Sequence, residues 1–320
     1  MTQIAVLDPI TPGTAARMRA LLPPGMALTH ATGREAAELH ALVAGADVII
    51  SGQIPVGAAL LAAAPRARLL HKWGVGVDNF DLDAARARGI TVARTTGSNA
   101  VPVAEFTLGL IIALMRNLSW GHHTLREGEW RTNQSPKPSL MLSGKTVGII
   151  GFGAIGQNLA RLLRPFGGPI LYSKTRRLEA AEESALGVRH ATLEEILEQS
   201  DIVSLHCPLT PQTQGMIDRA ALQRMKRSAM LINVARGGVV VEADLVEALR
   251  AREILGAAMD VFETEPVPPD NPLLRMDNVV VTPHIAAMAA DNFEKTIGQM
   301  FGNIARFARG EGVPDSDLVA

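Results

Sequence analysis

Between residues 146 and 156 an apolar strand, Thr-Val-Gly-Ile-Ile, runs into Gly-Phe-Gly-Ala-Ile-Gly and then opens a helix. Gly151, Gly153 and Gly156 fit the spacing G-x-G-x-x-G. In a dinucleotide-binding βαβ unit the first glycine makes the tight turn and the second lets backbone approach a pyrophosphate. The third lets helix and strand pack closely, and the phosphates sit on the free amides of the helix N-terminus. The context carries the reading: Val147 and Ile150 bound a buried-strand run, and Gln-Asn-Leu-Ala-Arg-Leu-Leu after Gly156 continues as an amphipathic helix.

At 320 residues the chain is long enough for two domains. From its start, apolar strands at residues 4–7, 47–50, 67–71 and 91–93 alternate with helical stretches at 15–22, 34–43 and 56–64. Such alternation predicts a parallel sheet covered by helices on both faces. A strongly helical segment, residues 99–116, crosses between domains, and residues 120–144 degrade into polar and turn residues that read as an excursion and a hinge. Trp120 and Trp130 in it are core residues of the excursion or contacts to a partner subunit. Beyond the glycine motif, strands are expected at 170–172, 202–205, 230–233, 256–259 and 279–281, with helices at 180–185, 193–199, 220–225 and 242–250. These make a second doubly wound sheet of five or six strands. A last helical stretch, residues 287–309, is expected to return to the first domain.

Lys and Arg number 31 against 32 Asp and Glu, a balance that points to neither nucleic acid nor an anionic membrane. The expected partner is a small molecule. Cys207 is the single cysteine, so no internal disulfide can form, and the cytoplasm is the expected compartment. The longest apolar run, residues 108–115, falls far short of a bilayer, and no secretion signal is evident. No metal is expected.

Three strand ends of the second sheet carry polar groups, at the carboxyl ends where open α/β sheets place their sites. Arg236 is trailed by Gly237-Gly238, Asp260 ends the next strand with Glu265 five residues on, and His284 follows the last strand in Thr-Pro-His. Arginine, carboxylate and histidine suit reversible oxidation of a hydroxyl beside a carboxylate. A fixed cation holds and polarises the substrate, a group near neutrality moves the proton, and a carboxylate orients that group and favours its charged form. A nicotinamide would supply the hydride.

With these residues in place, the chain resembles the D-2-hydroxy-acid dehydrogenase family, whose members include glyoxylate/hydroxypyruvate reductases. The matching segments fall in order along nearly the whole chain: Gly-Val-Gly-Val-Asp-Asn from Gly74, Val-Ala-Glu from Val103, the glycine motif, His-Cys-Pro-Leu-Thr from His206, Asn-Val-Ala-Arg-Gly-Gly from Asn233, Asp-Val-Phe-Glu-Thr-Glu-Pro from Asp260 and Thr-Pro-His-Ile-Ala from Thr282. The resemblance implies an α/β fold of two doubly wound parallel-sheet domains. One is a Rossmann-type cofactor domain, residues 99–286, and the other a flavodoxin-like, discontinuous substrate domain, residues 1–98 and 287–320. It implies His284 as acid/base, Glu265 as its partner, Arg236 as substrate anchor, and the amides of Val75 and Gly76 as binders of the substrate carboxylate. Cofactor contacts would come from Val103, Gly151, Gly153, Ala154, Ile155, Gly156, Ser173, Lys174, Arg176, Cys207, Pro208, Val234, Ala235, Asp260, His284 and Ala286, with Asp260 on the nicotinamide carboxamide. A homodimer formed through the excursion near Trp120 and Trp130 is also implied. The family often has Gly-Ser-Ala after the histidine, whereas Ile285 stands first here.

An NAD-specific site places an acid about 20 residues beyond the glycines, at the end of the second strand, to hold the ribose 2′-hydroxyl. Here Ile-Leu-Tyr ends in Ser173-Lys174-Thr175-Arg176-Arg177. With no acid and three cations, NADP(H) is expected over NAD(H). The expected substrates are small 2-keto acids such as glyoxylate and hydroxypyruvate. The alternatives are a phosphoglycerate dehydrogenase-like enzyme, a formate dehydrogenase, which Glu265 argues against because those enzymes carry glutamine there, and a nucleotide-sensing corepressor-like protein of the same fold.

Overall fold

The computed structural model describes residues 1–319. The chain divides into two compact units, residues 1–99 together with the tail from Ala289, and Ala100–Met288. The first unit holds β1 (Thr2–Val6), α1 (Pro12–Ala20), β2 (Met26–His30), α2 (Ala36–Val43), β3 (Val48–Ser51), α3 (Ala58–Ala62), β4 (Leu69–Lys72), α4 (Leu82–Ala87) and β5 (Thr91–Ala93). Its five parallel strands run in the order β2-β1-β3-β4-β5, the flavodoxin-like arrangement. Every residue of β3 and β4 is buried, as parallel strands covered on both faces require. The sequence pattern misses β2, an edge strand with only Leu28 buried, because an edge that faces water has no continuous apolar run to show.

The second unit holds α5 (Ala100–Met115), α6 (Leu118–Arg126), β6 (Val147–Ile150), α7 (Ala154–Leu163), β7 (Ile170–Ser173), α8 (Ala180–Leu186), β8 (Arg189–His190), α9 (Leu193–Gln199), β9 (Ile202–Leu205), α10 (Arg219–Arg224), β10 (Met230–Asn233), α11 (Glu242–Arg250), β11 (Gly256–Met259) and β12 (Val279–Val281). Its sheet has seven parallel strands in the order β12-β11-β10-β9-β6-β7-β8. This is one strand more than the pattern predicts. The addition, β8, is two residues long, too short to leave a periodic signal. The excursion is also more ordered than its polar composition suggests. It begins with α6, and the Lys137 amine, which burial holds down to about 8, bonds Asn117 Oδ1 at 2.6 Å and the Leu114 carbonyl at the end of α5.

The tail supplies α12 (Phe293–Ala308) to the first unit. Its Ile297, Met300, Phe301 and Ile304 lie in one buried cluster with Ile4, Val6, Ile50 and Leu69. Asn303 on the same helix donates to Asp317 Oδ2 at 2.8 Å, and Leu318 pairs with Ala93 beside β5. No single helix among the described residues is long and apolar enough to cross a membrane.

In the second sheet the strand order reverses between β6 and β9, so the loops that leave them diverge and open a crevice. Gly151 follows β6 with φ +92°, and a Cβ there would lie 2.3 Å from the Cys207 amide nitrogen. A Cβ on Gly153 would meet nothing within 4 Å. The two positions therefore separate fold from ligand. Gly151→Ala is expected to destabilise the protein by about 2–5 kcal/mol through strain and overlap. Gly153→Ala, at an ordinary φ of −83°, should leave the melting temperature within a degree or two of the parent while weakening dinucleotide binding several-fold. Thermal melts and cofactor titration of both variants check this, and equal melting temperatures would refute the division.

Candidate active site

The turn after β6 fits a dinucleotide in three respects. Gly151 allows the loop after β9 to pass against it, and Gly156 allows α7 to lie close on the strand, since a Cβ there would be 2.8 Å from the Gly151 carbonyl. Gly153 caps α7 with no side chain in the way, so the first-turn amides of Ala154, Ile155 and Gly156 face outward without helical partners. Around this turn the structure gathers several expected residues. Val103 in the first turn of α5, Val234 after β10 and Ala286 after β12 share one buried cluster with Phe152. Cys207 and Ala235, after β9 and β10, are buried in a second cluster, and Pro208 beside Cys207 is exposed. Burial pushes the Cys207 thiol up to about 11, so the sulfur is a packing group rather than a nucleophile.

The turn after β7 separates its three cations. Arg177 donates through Nε and Nη2 to both oxygens of Glu183, each at 2.8 Å. Glu183 also accepts from the hydroxyl of Tyr172 at 2.7 Å, and that hydroxyl takes the Leu178 amide at 2.9 Å. The Arg177 fork, followed by the Tyr172 hydroxyl, holds the Glu183 carboxyl down to about 2. Tyr172 has no exposed area, and its ring packs on Phe152 of the glycine turn with centroids 4.4 Å apart. Lys174 and Arg176 have no hydrogen-bond or ion-pair partner among the described residues. Ser173, Lys174 and Arg176 are half-buried to exposed. The sequence gives no hint of the Glu183 clamp, because its partners lie six and eleven residues away across a turn.

The catalytic candidates come together because β10, β11 and β12 are neighbours in register, with Asn233 beside Met259 and Met259 beside Val281. Asn233, fully buried, ties the loop after β10 by donating to the Arg236 carbonyl and accepting from the Ala235 amide, both at 3.0 Å. Gly237 presses this loop against the one after β11, where a Cβ would fall 1.9 Å from Phe262 backbone. Glu265 lies in that second loop and accepts from the Phe262 amide at 3.0 Å. Its other oxygen is 2.6 Å from His284 Nδ1. Burial works to raise the Glu265 carboxyl, but the hydrogen bond and charge of His284, the Phe262 amide and the charge of Arg236 outweigh it, and it lies below the usual glutamate value. An ionised Glu265 places a proton on Nδ1 and leaves Nε2 for a ligand. Both side chains are about one third exposed. His284 has φ +54°, a left-handed backbone uncommon outside glycine. Asp260 has no exposed area and accepts from Thr282 Oγ1 at 2.6 Å and from the amides of Ile285 and Ala286.

In the first unit, Val75 and Gly76 follow β4 in a half-buried loop. Lys72 braces that loop through Asn79 Oδ1 at 2.7 Å, and Gly74 turns it at φ +136°. The amides of Val75 and Gly76 donate to no group among the described residues.

Known proteins share this architecture. A family model for the NAD-binding domain of D-isomer specific 2-hydroxyacid dehydrogenases matches residues 108–286. The chain is 41% identical over 263 residues to a glyoxylate reductase of Korarchaeum cryptofilum, covering 82% of this chain and 79% of that protein. It is 38% identical over 241 residues to a D-3-phosphoglycerate dehydrogenase of Archaeoglobus fulgidus, covering 75% of this chain and 45% of that longer protein. Among solved structures, the NADPH-dependent glyoxylate/hydroxypyruvate reductase of Sinorhizobium meliloti in complex with citrate superposes with a TM-score of 0.85 at 31% identity, covering 100% of this chain and 98% of that one.

Proposed function

The chain belongs to the D-isomer specific 2-hydroxyacid dehydrogenase family, and from that premise we propose that it reduces small 2-keto acids, glyoxylate and hydroxypyruvate before bulky ones, giving the D-hydroxy acid where the product is chiral. The observation that carries the reading is the 2.6 Å contact of His284 with Glu265 at the end of the same sheet as Arg236. When bound, the reduced nicotinamide supplies the hydride. Arg236 holds and polarises the keto acid, and the free Val75 and Gly76 amides take its carboxylate. As negative charge grows on the carbonyl oxygen, His284 Nε2 delivers the proton, and the Glu265 carboxylate stabilises the cationic ring it holds through Nδ1. In the reverse direction Nε2 removes the hydroxyl proton. Asp260 and the loops after β9 and β10 serve the nicotinamide end. A phosphoglycerate dehydrogenase-like activity is the second reading, supported by the Archaeoglobus relative.

Reduction assays with glyoxylate, hydroxypyruvate, pyruvate, formate and 3-phosphohydroxypyruvate decide between these substrates. Faster turnover of the phosphorylated or an aromatic acid than of the two small ones would overturn the first. Arg236→Ala is expected to worsen both KM and kcat, because the contact serves ground state and transition state. Glu265→Gln is expected to lower kcat for reduction about ten-fold while leaving KM for the keto acid within about two-fold, since a neutral amide holds Nδ1 without stabilising the positive charge the ring carries in the transition state. An unchanged kcat in that variant would remove Glu265 from its role.

We propose NADPH over NADH, supported by the absence of an acid at Ser173 and by the unpartnered Lys174 and Arg176. Charge-assisted hydrogen bonds contribute about 1.5–3 kcal/mol each, so one contact to the 2′-phosphate favours NADPH roughly ten-fold. Arg176→Ala should cost about that factor in the kcat/KM ratio of the two cofactors, Arg177→Ala much less, and Ser173→Asp should reverse much of the preference. Equal kcat/KM for NADPH and NADH in the unmodified protein would refute the assignment.

The assembly we propose is a homodimer through α6 and the excursion, supported by Leu118, Leu125, Trp130 and Met141, which expose between 54% and 82% of their surface. The cytoplasm is the proposed compartment.

A further inference from the structure

A carboxylate taken wholly out of water is costly unless other groups replace its hydration. Asp260 has no exposed area, and its hydrogen bonds are supplied by one short loop, residues 282–286. Thr282 Oγ1 at 2.6 Å and the Ile285 amide at 3.0 Å donate to Oδ1, and the Ala286 amide donates to Oδ2 at 2.9 Å. The backbone completes the grip, because the Asp260 carbonyl accepts the His284 amide at 2.8 Å and the Met259 carbonyl accepts the Thr282 amide at 3.0 Å. These bonds bracket His284 on both sides. Without them the residue has little reason to keep φ +54°, a backbone state that costs a non-glycine residue about 1–3 kcal/mol. The parallel register of β11 and β12, Met259 beside Val281, is what brings the two segments level.

We propose that Asp260 and Thr282 act together as positioning residues that fix the backbone at His284 and so aim its ring at Glu265. This role of Asp260 is separate from any contact it makes with the nicotinamide, and it rests on the reading of His284 as the acid/base. Both act through His284. Asp260 supplies the acceptors, and Thr282 is the side chain that closes the set.

Thr282 gives the cleaner test, because Asp260→Asn could alter cofactor contact and folding at once. Thr282→Val removes the hydroxyl and keeps the branched shape, whereas Thr282→Ser keeps the hydroxyl. Hydrogen exchange of the segment holding Ile285 and Ala286 is measured on the intact protein, with β10 as the internal reference, alongside kcat and KM for keto acid and cofactor. Losing a hydrogen bond to a charged group corresponds to about ten-fold in an equilibrium. Thr282→Val is therefore expected to speed exchange of that segment about ten-fold and to lower kcat by a similar factor. KM for the cofactor and exchange in β10 should stay within about two-fold, and Thr282→Ser should restore both readouts. Unchanged exchange and kcat in Thr282→Val would overturn the proposal. So would a serine variant no better than the valine, or a rise in cofactor KM with kcat intact, which would make the pair a dinucleotide contact only. If the parent reduces none of the keto acids, the functional reading fails, and the exchange comparison still decides whether the hydroxyl holds the loop.

Discussion

The close passage of the Cys207 backbone over Gly151 is the contact on which the cofactor unit depends. β6 and β9 are adjacent, with Ile150 beside Leu205, yet the chain leaves them toward opposite sides of the sheet. A side chain at position 151 would occupy the space where those paths part, with a Cβ 2.3 Å from the Cys207 nitrogen and 2.5 Å from the His206 carbonyl carbon. Glycine there lets the crevice form at its narrowest point, and it sets the start of α7. From this turn, order passes outward through packed groups. Phe152 is buried beneath Tyr172, Tyr172 bonds Glu183, and Glu183 grips Arg177. The glycine turn after β6 and the turn after β7, which we propose meet the phosphates and the ribose, are thus parts of one packed unit.

The other half of the sheet shows two carboxylates given different work by their surroundings. Asp260 has no exposed surface and is satisfied by donors from one loop, which fits the positioning role we propose for it. Glu265 keeps about a third of its side chain exposed and spends one oxygen on the Phe262 amide and the other on His284. That leaves one oxygen fixed by the loop and the other against the ring nitrogen Nδ1. Three consecutive parallel strands deliver Arg236, Glu265 and His284 to the same edge.

Much of this was legible in the sequence, and the secondary-structure elements it hid share a cause. Strands buried on both faces, such as β3, β9 and β10, show as apolar runs because every residue must be apolar. The glycine turn and the residues at strand ends stand out because a core has no use for them. The edge strand β2, the two-residue β8 and the helix α6 were missed because each lacks a long buried face. The pairing of Arg177 with Glu183 was hidden for another reason: from sequence the three cations after β7 are equivalent. Only the fold shows which of them has an acid within reach. Thr282 was hidden likewise, since a threonine at a strand end signals nothing until its register partner is known.

That last pairing changes how the turn after β7 works. A carboxylate held down to about 2 is fully charged at neutral pH, and Glu183, on α8 just beyond the turn after β7, would if bare repel the 2′-phosphate we propose for that turn. Arg177 cancels that charge through a two-pronged contact. Seen from the crevice, the Glu183–Arg177 pair is close to neutral, and the field of the turn is left to Lys174 and Arg176. The selectivity reading therefore does not rest on the number of cations in Ser-Lys-Thr-Arg-Arg. It rests on two of them being uncommitted, on the third being used up in silencing an acid that the fold needs to anchor Tyr172, and on a serine standing where an acid would have gripped a free ribose hydroxyl.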